Sequence, residues 1–111
     1  DKLNQVLVNL FMNAIQAIEN KGEIIITTLK HGKEKVSISI QDTGCGIPES
    51  IQNKIFDPFF TTKELGKGTG LGLSIVYDII QQMQGEILMR SELGIGTIFT
   101  IILPISENTN G

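Results

Sequence analysis

Hydrophobic residues near the start of the chain recur at helical spacing and predict a helix over residues 2–20, which Gly22 would end. The apolar positions are Leu3, Val6, Leu7, Leu10, Phe11, Ala14, Ala17 and Ile18. A stripe of uncharged amides follows another face of this helix: Gln5, Asn9, Asn13, Gln16 and Asn20. Solvated helix faces usually carry Lys and Glu, whereas amide oxygens can ligate a hard cation such as Mg²⁺. The stripe therefore predicts either a ligand cleft or a partly buried polar seam.

Two pairs of strands are predicted by the polar and apolar pattern, over residues 23–29 and 36–41 and over residues 85–90 and 97–103. The run Ile24-Ile25-Ile26 is apolar without alternation, which predicts a central, covered strand. Residues 36–41 alternate between Val or Ile and Ser or Gln, which predicts one buried face. The polar link at residues 31–34 predicts a hairpin turn with His31 on the surface. This single histidine is a poor basis for a metal site or a catalytic triad.

Two further helices are predicted, a short one over residues 48–55 and a longer one over residues 71–83. Segregated helices and hairpins predict an α+β fold: a two-layer sandwich whose three helices cover one face of a mixed, mostly antiparallel sheet. Pro104 would end the sheet. We expect one domain over residues 1–104, followed by a polar tail over residues 105–111.

The stretch Asp42-Thr43-Gly44-Cys45-Gly46-Ile47-Pro48 begins where the second strand ends. A carboxylate at a strand end can accept a hydrogen bond from the exocyclic amine of a ligand. Neighbouring glycines allow the backbone to approach a flat ligand closely. A plain strand-to-helix turn explains the same residues. Both interpretations stay open at this point.

A glycine-rich segment, Gly68-Thr69-Gly70-Leu71-Gly72-Leu73, leads into the longer helix. The free N–H groups and positive dipole at such a helix start suit phosphates, and Lys63 and Lys67 could add charge. A dinucleotide fingerprint is excluded, because the sixth position counted from Gly68 is Leu73. A P-loop is excluded because Gly66-Lys67 is followed by Gly68 rather than Ser or Thr.

The composition is that of an ordinary globular domain, with 111 residues, 41% hydrophobic and 19% charged. The net charge of −3 argues against nucleic acid as a partner. Cys45 is the only cysteine, which fits a reducing compartment, and we expect a cytoplasmic domain whether or not the parent protein is anchored in a membrane. The chain opens at Asp1 without a methionine, so we expect an N-terminally truncated fragment of a longer protein.

Five sequence blocks, in order, resemble those of the catalytic and ATP-binding domain of bacterial sensor histidine kinases, within the superfamily that includes DNA gyrase. The resemblance covers residues 1–104. Within this family the chain most resembles the short-lid nitrogen-regulation and sporulation kinases. The blocks are Asn9-Leu10-Phe11-Met12-Asn13-Ala14 (N box), Asp42-Thr43-Gly44-Cys45-Gly46 (G1 box), Phe56-Asp57-Pro58-Phe59-Phe60 (F box), Gly68-Thr69-Gly70-Leu71-Gly72-Leu73 (G2 box) and Gly94-Ile95-Gly96-Thr97 (last glycine box).

The resemblance implies a site for ATP and Mg²⁺. Asn13 would ligate the metal that bridges the phosphates, with Asn9 in support. Asp42 would accept from the adenine amino group, and Thr97 would lie near the same edge through a bridging water. The adenine slot would be lined by Gly44, Gly46 and Ile47. Residues 57–69 would form a lid, and the phosphate contacts would come from Lys63, Gly68, Thr69, Gly70, Leu71 and Gly72. Many relatives carry Lys where this chain has Gln16, so we assign the charged phosphate contact to Lys63.

The implied activity is transfer of the ATP γ-phosphoryl group to a histidine on a separate dimerisation domain, which in turn serves the receiver domain of a response regulator. The chain alone would be a monomer that binds ATP without autophosphorylation. One alternative is an ATPase or serine kinase of the same superfamily. Those members place a Glu general base where this chain has Asn9, and an amide cannot take the proton. The other alternative is a nucleotide-sensing or interaction module without catalysis.

Overall fold

The computed structural model describes residues 2–57 and 72–105. Two α-helices, one 3₁₀-helix and four strands lie in these ranges. In chain order they are α1 (Lys2–Ala17), β1 (Ile24–His31), β2 (Lys35–Asp42), the 3₁₀-helix (Glu49–Lys54), α2 (Gly72–Gln82), β3 (Glu86–Glu92) and β4 (Gly96–Pro104).

The four strands form one sheet in the order β1-β2-β4-β3, and each neighbouring pair is antiparallel. The predicted α+β sandwich is confirmed. The expectation of a mixed sheet is wrong for the described strands, because two hairpins meet through antiparallel pairing of β2 with β4. The third helix is a 3₁₀-helix rather than an α-helix, with Ile55 buried at its end.

Both α-helices pack on one face of the sheet, α1 mainly on β2 and β4, and α2 on β3 and α1. Alternate residues of a strand point to the same face, so every second residue of β4 enters this core. The buried hydrophobic residues are Val6, Leu10, Ala14, Ile40, Ile55, Val76, Ile79, Ile80, Phe99, Ile101 and Leu103. None of the helices in the described part of the chain is long and apolar enough to cross a membrane.

The prediction that β1 is a central, covered strand is wrong. Among the described strands β1 pairs only with β2 and lies at an edge. Ile26 is 56% exposed, while its partner Ile40 across the β1–β2 pair is 3% exposed. The difference arises because the helices pack over the other three strands. An apolar run therefore did not indicate burial here.

The first helix ends at Ala17, three residues before the predicted end. The backbone amide of Cys45 donates a hydrogen bond to the carbonyl oxygen of Ala17 at 3.1 Å, which satisfies one of the free carbonyls at the helix end. The loop that follows β2 thus fixes the end of α1. This contact lies beyond what local sequence periodicity can indicate.

Candidate functional site

A row of polar residues crosses one end of the sheet. Asp42, the last residue of β2, pairs with Thr97 of β4, and Thr97 pairs in turn with Ser91 of β3. Directly paired residues of antiparallel strands point to the same face, which here is the face covered by the helices. Asp42 and Thr97 are each 5% exposed, and Ser91 is half-buried. Polar groups buried to this degree require partners or a ligand.

The carboxylate of Asp42 is oriented by its own loop. Its Oδ1 accepts a hydrogen bond from the backbone N–H of Gly44 at 2.8 Å. An ionised carboxylate accepts several hydrogen bonds, so this contact leaves acceptor capacity for a ligand. The geometry agrees with the role expected for Asp42, which is to accept from an exocyclic amine.

Ser91 links three parts of this end of the sheet. Its Oγ accepts a hydrogen bond from the backbone N–H of Ile47 at 2.7 Å. The same atom lies 2.7 Å from Thr97 Oγ1. It also lies 3.1 Å from the carbonyl oxygen of Gly96, to which it can donate. The sequence analysis missed this residue. Counting outward from the turn between β3 and β4 would have placed Ser91 opposite Thr97.

Gln52, in the 3₁₀-helix, was also missed. Its Nε2 donates to the carbonyl oxygen of Ile47 at 2.9 Å and to that of Ser91 at 3.4 Å. Ile47, expected to line the adenine slot, is therefore held on both of its backbone polar groups. No sequence signal singles out Gln52, because one of its partners, Ser91, lies 39 residues away along the chain.

The glycines of the Asp42 loop are required by packing within the protein. Gly46 has a φ of +81°, and a Cβ at this position would overlap the carbonyl oxygen of Glu92. A Cβ at Gly44 would come within 2.7 Å of the Ala17 side chain. These contacts hold the loop between α1 and the β3–β4 hairpin. Approach of a ligand to the same glycines stays a prediction.

Of the amide stripe on α1, Asn9 and Asn13 are half-buried, whereas Gln5 and Gln16 are exposed and Asn20 lies outside the helix. Asn9 Oδ1 lies 3.8 Å from the position that a Cβ on Gly72 would occupy, so it faces the first residue of α2. The first N–H groups of a helix lack partners within the helix and suit anions. Asn9 of α1 and the start of α2 thus come together.

Several predicted phosphate contacts, namely Lys63, Gly68, Thr69, Gly70 and Leu71, lie outside the described residues, as does residue range 58–69 of the lid. The segment before it is anchored. The Phe56 ring lies 5.6 Å from that of Tyr77 in α2 and 6.3 Å, edge-on, from that of Phe99 in β4. These contacts attach the start of the F box to the core.

A metal in this site would depend on few protein ligands. Among the described residues no three His, Cys, Asp or Glu side chains cluster in a way that could hold a metal ion. Mg²⁺ usually takes one or two protein oxygens together with substrate phosphates and waters. The amide oxygen of half-buried Asn13 fits such a site, because the nucleotide would supply the remaining charge.

Residues 1–107 match the family described as histidine kinase-, DNA gyrase B- and HSP90-like ATPases. The signal transduction histidine-protein kinase AtoS of Escherichia coli (strain K12) is 51% identical to this chain, over 97% of the chain and 17% of AtoS. Sporulation kinase E of Bacillus subtilis (strain 168) is 43% identical, over 97% of the chain and 14% of that kinase. The chain therefore spans less than a fifth of the length of either relative.

The fold is similar to that of a solved catalytic domain, that of histidine kinase ThkA in a nucleotide-free form. The TM-score is 0.80 and the sequences are 42% identical. The match covers 93% of this chain and 66% of that domain. The likeness thus extends from sequence to tertiary structure.

Proposed function

The chain belongs to the histidine kinase-, DNA gyrase B- and HSP90-like ATPase family, and from this premise we propose that it is the ATP-binding catalytic domain of a two-component sensor histidine kinase. The domain would transfer the γ-phosphoryl group of ATP to a histidine on a separate dimerisation domain. The similarity to a signal transduction histidine-protein kinase and to a sporulation kinase supports the proposal.

The observation that carries the proposal is the buried pair of Asp42 and Thr97. A carboxylate that is 95% buried is costly unless a strong hydrogen-bond donor meets it. Asp42 has the Gly44 amide on Oδ1, and the adenine amino group would supply a further donor. This arrangement selects adenine, because guanine has a carbonyl oxygen in place of that amino group and would repel the carboxylate.

The phosphates would lie between α1 and α2. Asn13 would hold the Mg²⁺, and Asn9 would support the same region opposite Gly72. The backbone amides of Gly70, Leu71 and Gly72 would donate to the phosphate oxygens, while Lys63, Gly68 and Thr69 would complete the enclosure. When bound, the metal would neutralise part of the negative charge of the phosphates. The residues of the chain position the nucleotide, which accounts for most of the catalysis in phosphoryl transfer.

Asn9 favours a histidine acceptor over water or a serine hydroxyl. A hydroxyl or water must lose a proton as it attacks, and a general base is needed to take it. Asn9 stands where the hydrolases and serine kinases of this superfamily carry Glu, and its amide cannot act as a base. A histidine can attack through an unprotonated ring nitrogen. The residue at this position thus disfavours the ATPase and serine kinase alternatives.

The partners that we propose are the dimerisation domain of the parent kinase and the receiver domain of its response regulator. The parent would hold the dimerisation domain, so the isolated chain is expected to be a monomer. We also place the domain in the cytoplasm, where ATP is available and an exposed free thiol such as that of Cys45 persists.

The test is calorimetric titration of ATP with Mg²⁺ into the chain and into Asp42→Asn. The amide keeps the shape of the carboxylate, but its NH₂ group or its weaker, neutral oxygen would face the adenine amine. We expect binding by the parent chain and a loss of about 1.5–3 kcal/mol in the variant. Ser37→Ala, which removes a buried polar group at the far end of β2, is the matched control and should keep the affinity. Equal affinity of parent and Asp42→Asn would contradict the proposal. A folded parent that binds no ATP would favour the non-catalytic alternative.

A further inference from the structure

We propose that Ser91 is a positioning residue for adenine recognition. Its hydroxyl would orient the hydroxyl of Thr97, so that Thr97 donates to the N1 acceptor of adenine, directly or through one ordered water. This inference rests on the proposed ATP-binding function and extends it to a residue outside the five sequence blocks.

The hydrogen-bonding capacity of Ser91 Oγ restricts what Thr97 can do. A serine hydroxyl has one hydrogen to donate and two lone pairs to accept with. The N–H of Ile47, at 2.7 Å, occupies one lone pair. One hydrogen and one lone pair remain for Thr97 Oγ1 at 2.7 Å and the carbonyl oxygen of Gly96 at 3.1 Å.

Two arrangements of protons are possible, and only the first satisfies both contacts. In the first, Ser91 donates to Gly96 and Thr97 donates to Ser91, so that Thr97 can only accept from a ligand. In the second, Ser91 donates to Thr97, and the Thr97 proton is free for a ligand. The ring nitrogen N1 of adenine is an acceptor and therefore selects the second arrangement, in which the carbonyl oxygen of Gly96 gives up the proton of Ser91.

Asp42 cannot perform this task, because an ionised carboxylate only accepts hydrogen bonds. It would receive the adenine amino group, while Thr97, directly opposite in β4, offers the donor that N1 needs. The Asp42 carboxylate would thus meet the adenine amino group, and the neighbouring Thr97 hydroxyl would meet N1. Ser91 would orient the hydrogen bond from Thr97 to N1.

Ser91 also holds the backbone of Ile47, and this effect must be separated from its effect on Thr97. Gln52 allows the two effects to be separated, because it donates to the carbonyl oxygen of Ile47 at 2.9 Å and makes no hydrogen bond to Thr97. Loss of Gln52 would loosen the same loop without altering the Thr97 hydroxyl. Ser39 offers a second control, since its hydroxyl pairs with that of Thr100 at 3.1 Å on the other face of the sheet.

The experiment compares the affinities of ATP and 1-deaza-ATP, an analogue that lacks the N1 acceptor, for the whole chain and three variants. We expect the parent chain to prefer ATP by about 3- to 10-fold, the range of one hydrogen bond. Ser91→Ala should weaken the binding of ATP and bring the ratio of the two affinities, ATP over 1-deaza-ATP, close to one. Gln52→Ala should weaken both nucleotides by the same factor, and Ser39→Ala should change neither affinity.

Three outcomes would overturn the inference while leaving ATP binding intact. The parent chain could show no preference for ATP, or Ser91→Ala could keep the preference. Ser91→Ala could also weaken the binding of both nucleotides by the same factor, which is the result expected for Gln52→Ala. A parent chain that binds neither nucleotide would overturn the proposed function as well. A second measurement uses Thr97→Val, in which Ser91→Ala should have no further effect on the preference. An undiminished effect of Ser91→Ala in that background would contradict a role through Thr97.

Discussion

The backbone amide of Cys45 donates a hydrogen bond to the carbonyl oxygen of Ala17 at 3.1 Å, and this contact joins the loop after β2 to the end of α1. Asn13 lies one helical turn before Ala17, and Asp42 lies three residues before Cys45. The proposed metal ligand and the proposed adenine anchor are therefore held by elements in direct contact. Their separation is set by this contact rather than by the hairpin that connects them along the chain.

Replacement of Gly46 by Ala should destabilise the fold and the site together. A positive φ costs an L-residue about 1–2 kcal/mol, and the overlap with Glu92 adds a packing cost of about 1–3 kcal/mol. Gly94→Ala is the matched control, because Gly94 has a φ of +80° and open space around it. Urea denaturation should show a larger loss of unfolding free energy for Gly46→Ala. Equal losses would mean that the overlap relaxes without cost.

Replacement of Asn13 by Ala should weaken ATP binding only when Mg²⁺ is present. The lost amide oxygen is expected to cost about 1–3 kcal/mol of binding free energy. Gln5→Ala removes an amide from the same stripe at an exposed position and should have no effect. Titrations of ATP in the presence of Mg²⁺ and in the presence of a chelator measure the binding with and without the metal. A loss of the same size without the metal would assign Asn13 to a contact other than metal ligation.

The paired residues Ile26 and Ile40 should differ in their contribution to stability. They lie opposite each other in β1 and β2, but Ile40 is 3% exposed and Ile26 56% exposed. Ile40→Ala should lower the free energy of unfolding by about 2–5 kcal/mol, because it leaves a cavity in the core. Ile26→Ala should cost well under half as much. Similar losses would show that β1 is covered in solution and that its exposed side has a partner there.

The chain should not phosphorylate its own histidine. His31 lies at the opposite end of β1 from Ile24, the partner of Asp42, which is seven residues or about 23 Å along the strand. After incubation with ATP labelled on the γ-phosphate, the isolated chain should carry no label. A longer protein that joins this chain to the proposed dimerisation domain should become labelled under the same conditions. Label on His31 of the isolated chain would overturn this assignment.

The sequence determined the secondary-structure elements and the family of this protein, and it indicated the chemistry proposed for its site. Helical spacing located α1 and α2, strand patterns located both hairpins, and the position of Asp42 at a strand end indicated an acceptor at a sheet edge. These features depend on local periodicity and on residue types, which are read directly from the chain. The five motif blocks, in their order, added the family. The matches to the family and to a solved catalytic domain confirm the predicted family and fold.

The tertiary structure decided what depends on contacts between distant residues. It placed β1 at an edge, ended α1 at Ala17, and brought Ser91 to Ile47 and Gln52 to Ser91, none of which a local pattern encodes. It also showed that Gly46 is required by the Glu92 backbone, whereas the sequence had suggested approach to a ligand. The physical reason is the same in each case: burial, hydrogen-bond partners and steric overlap are properties of the packed chain, and they arise only when segments far apart in sequence meet.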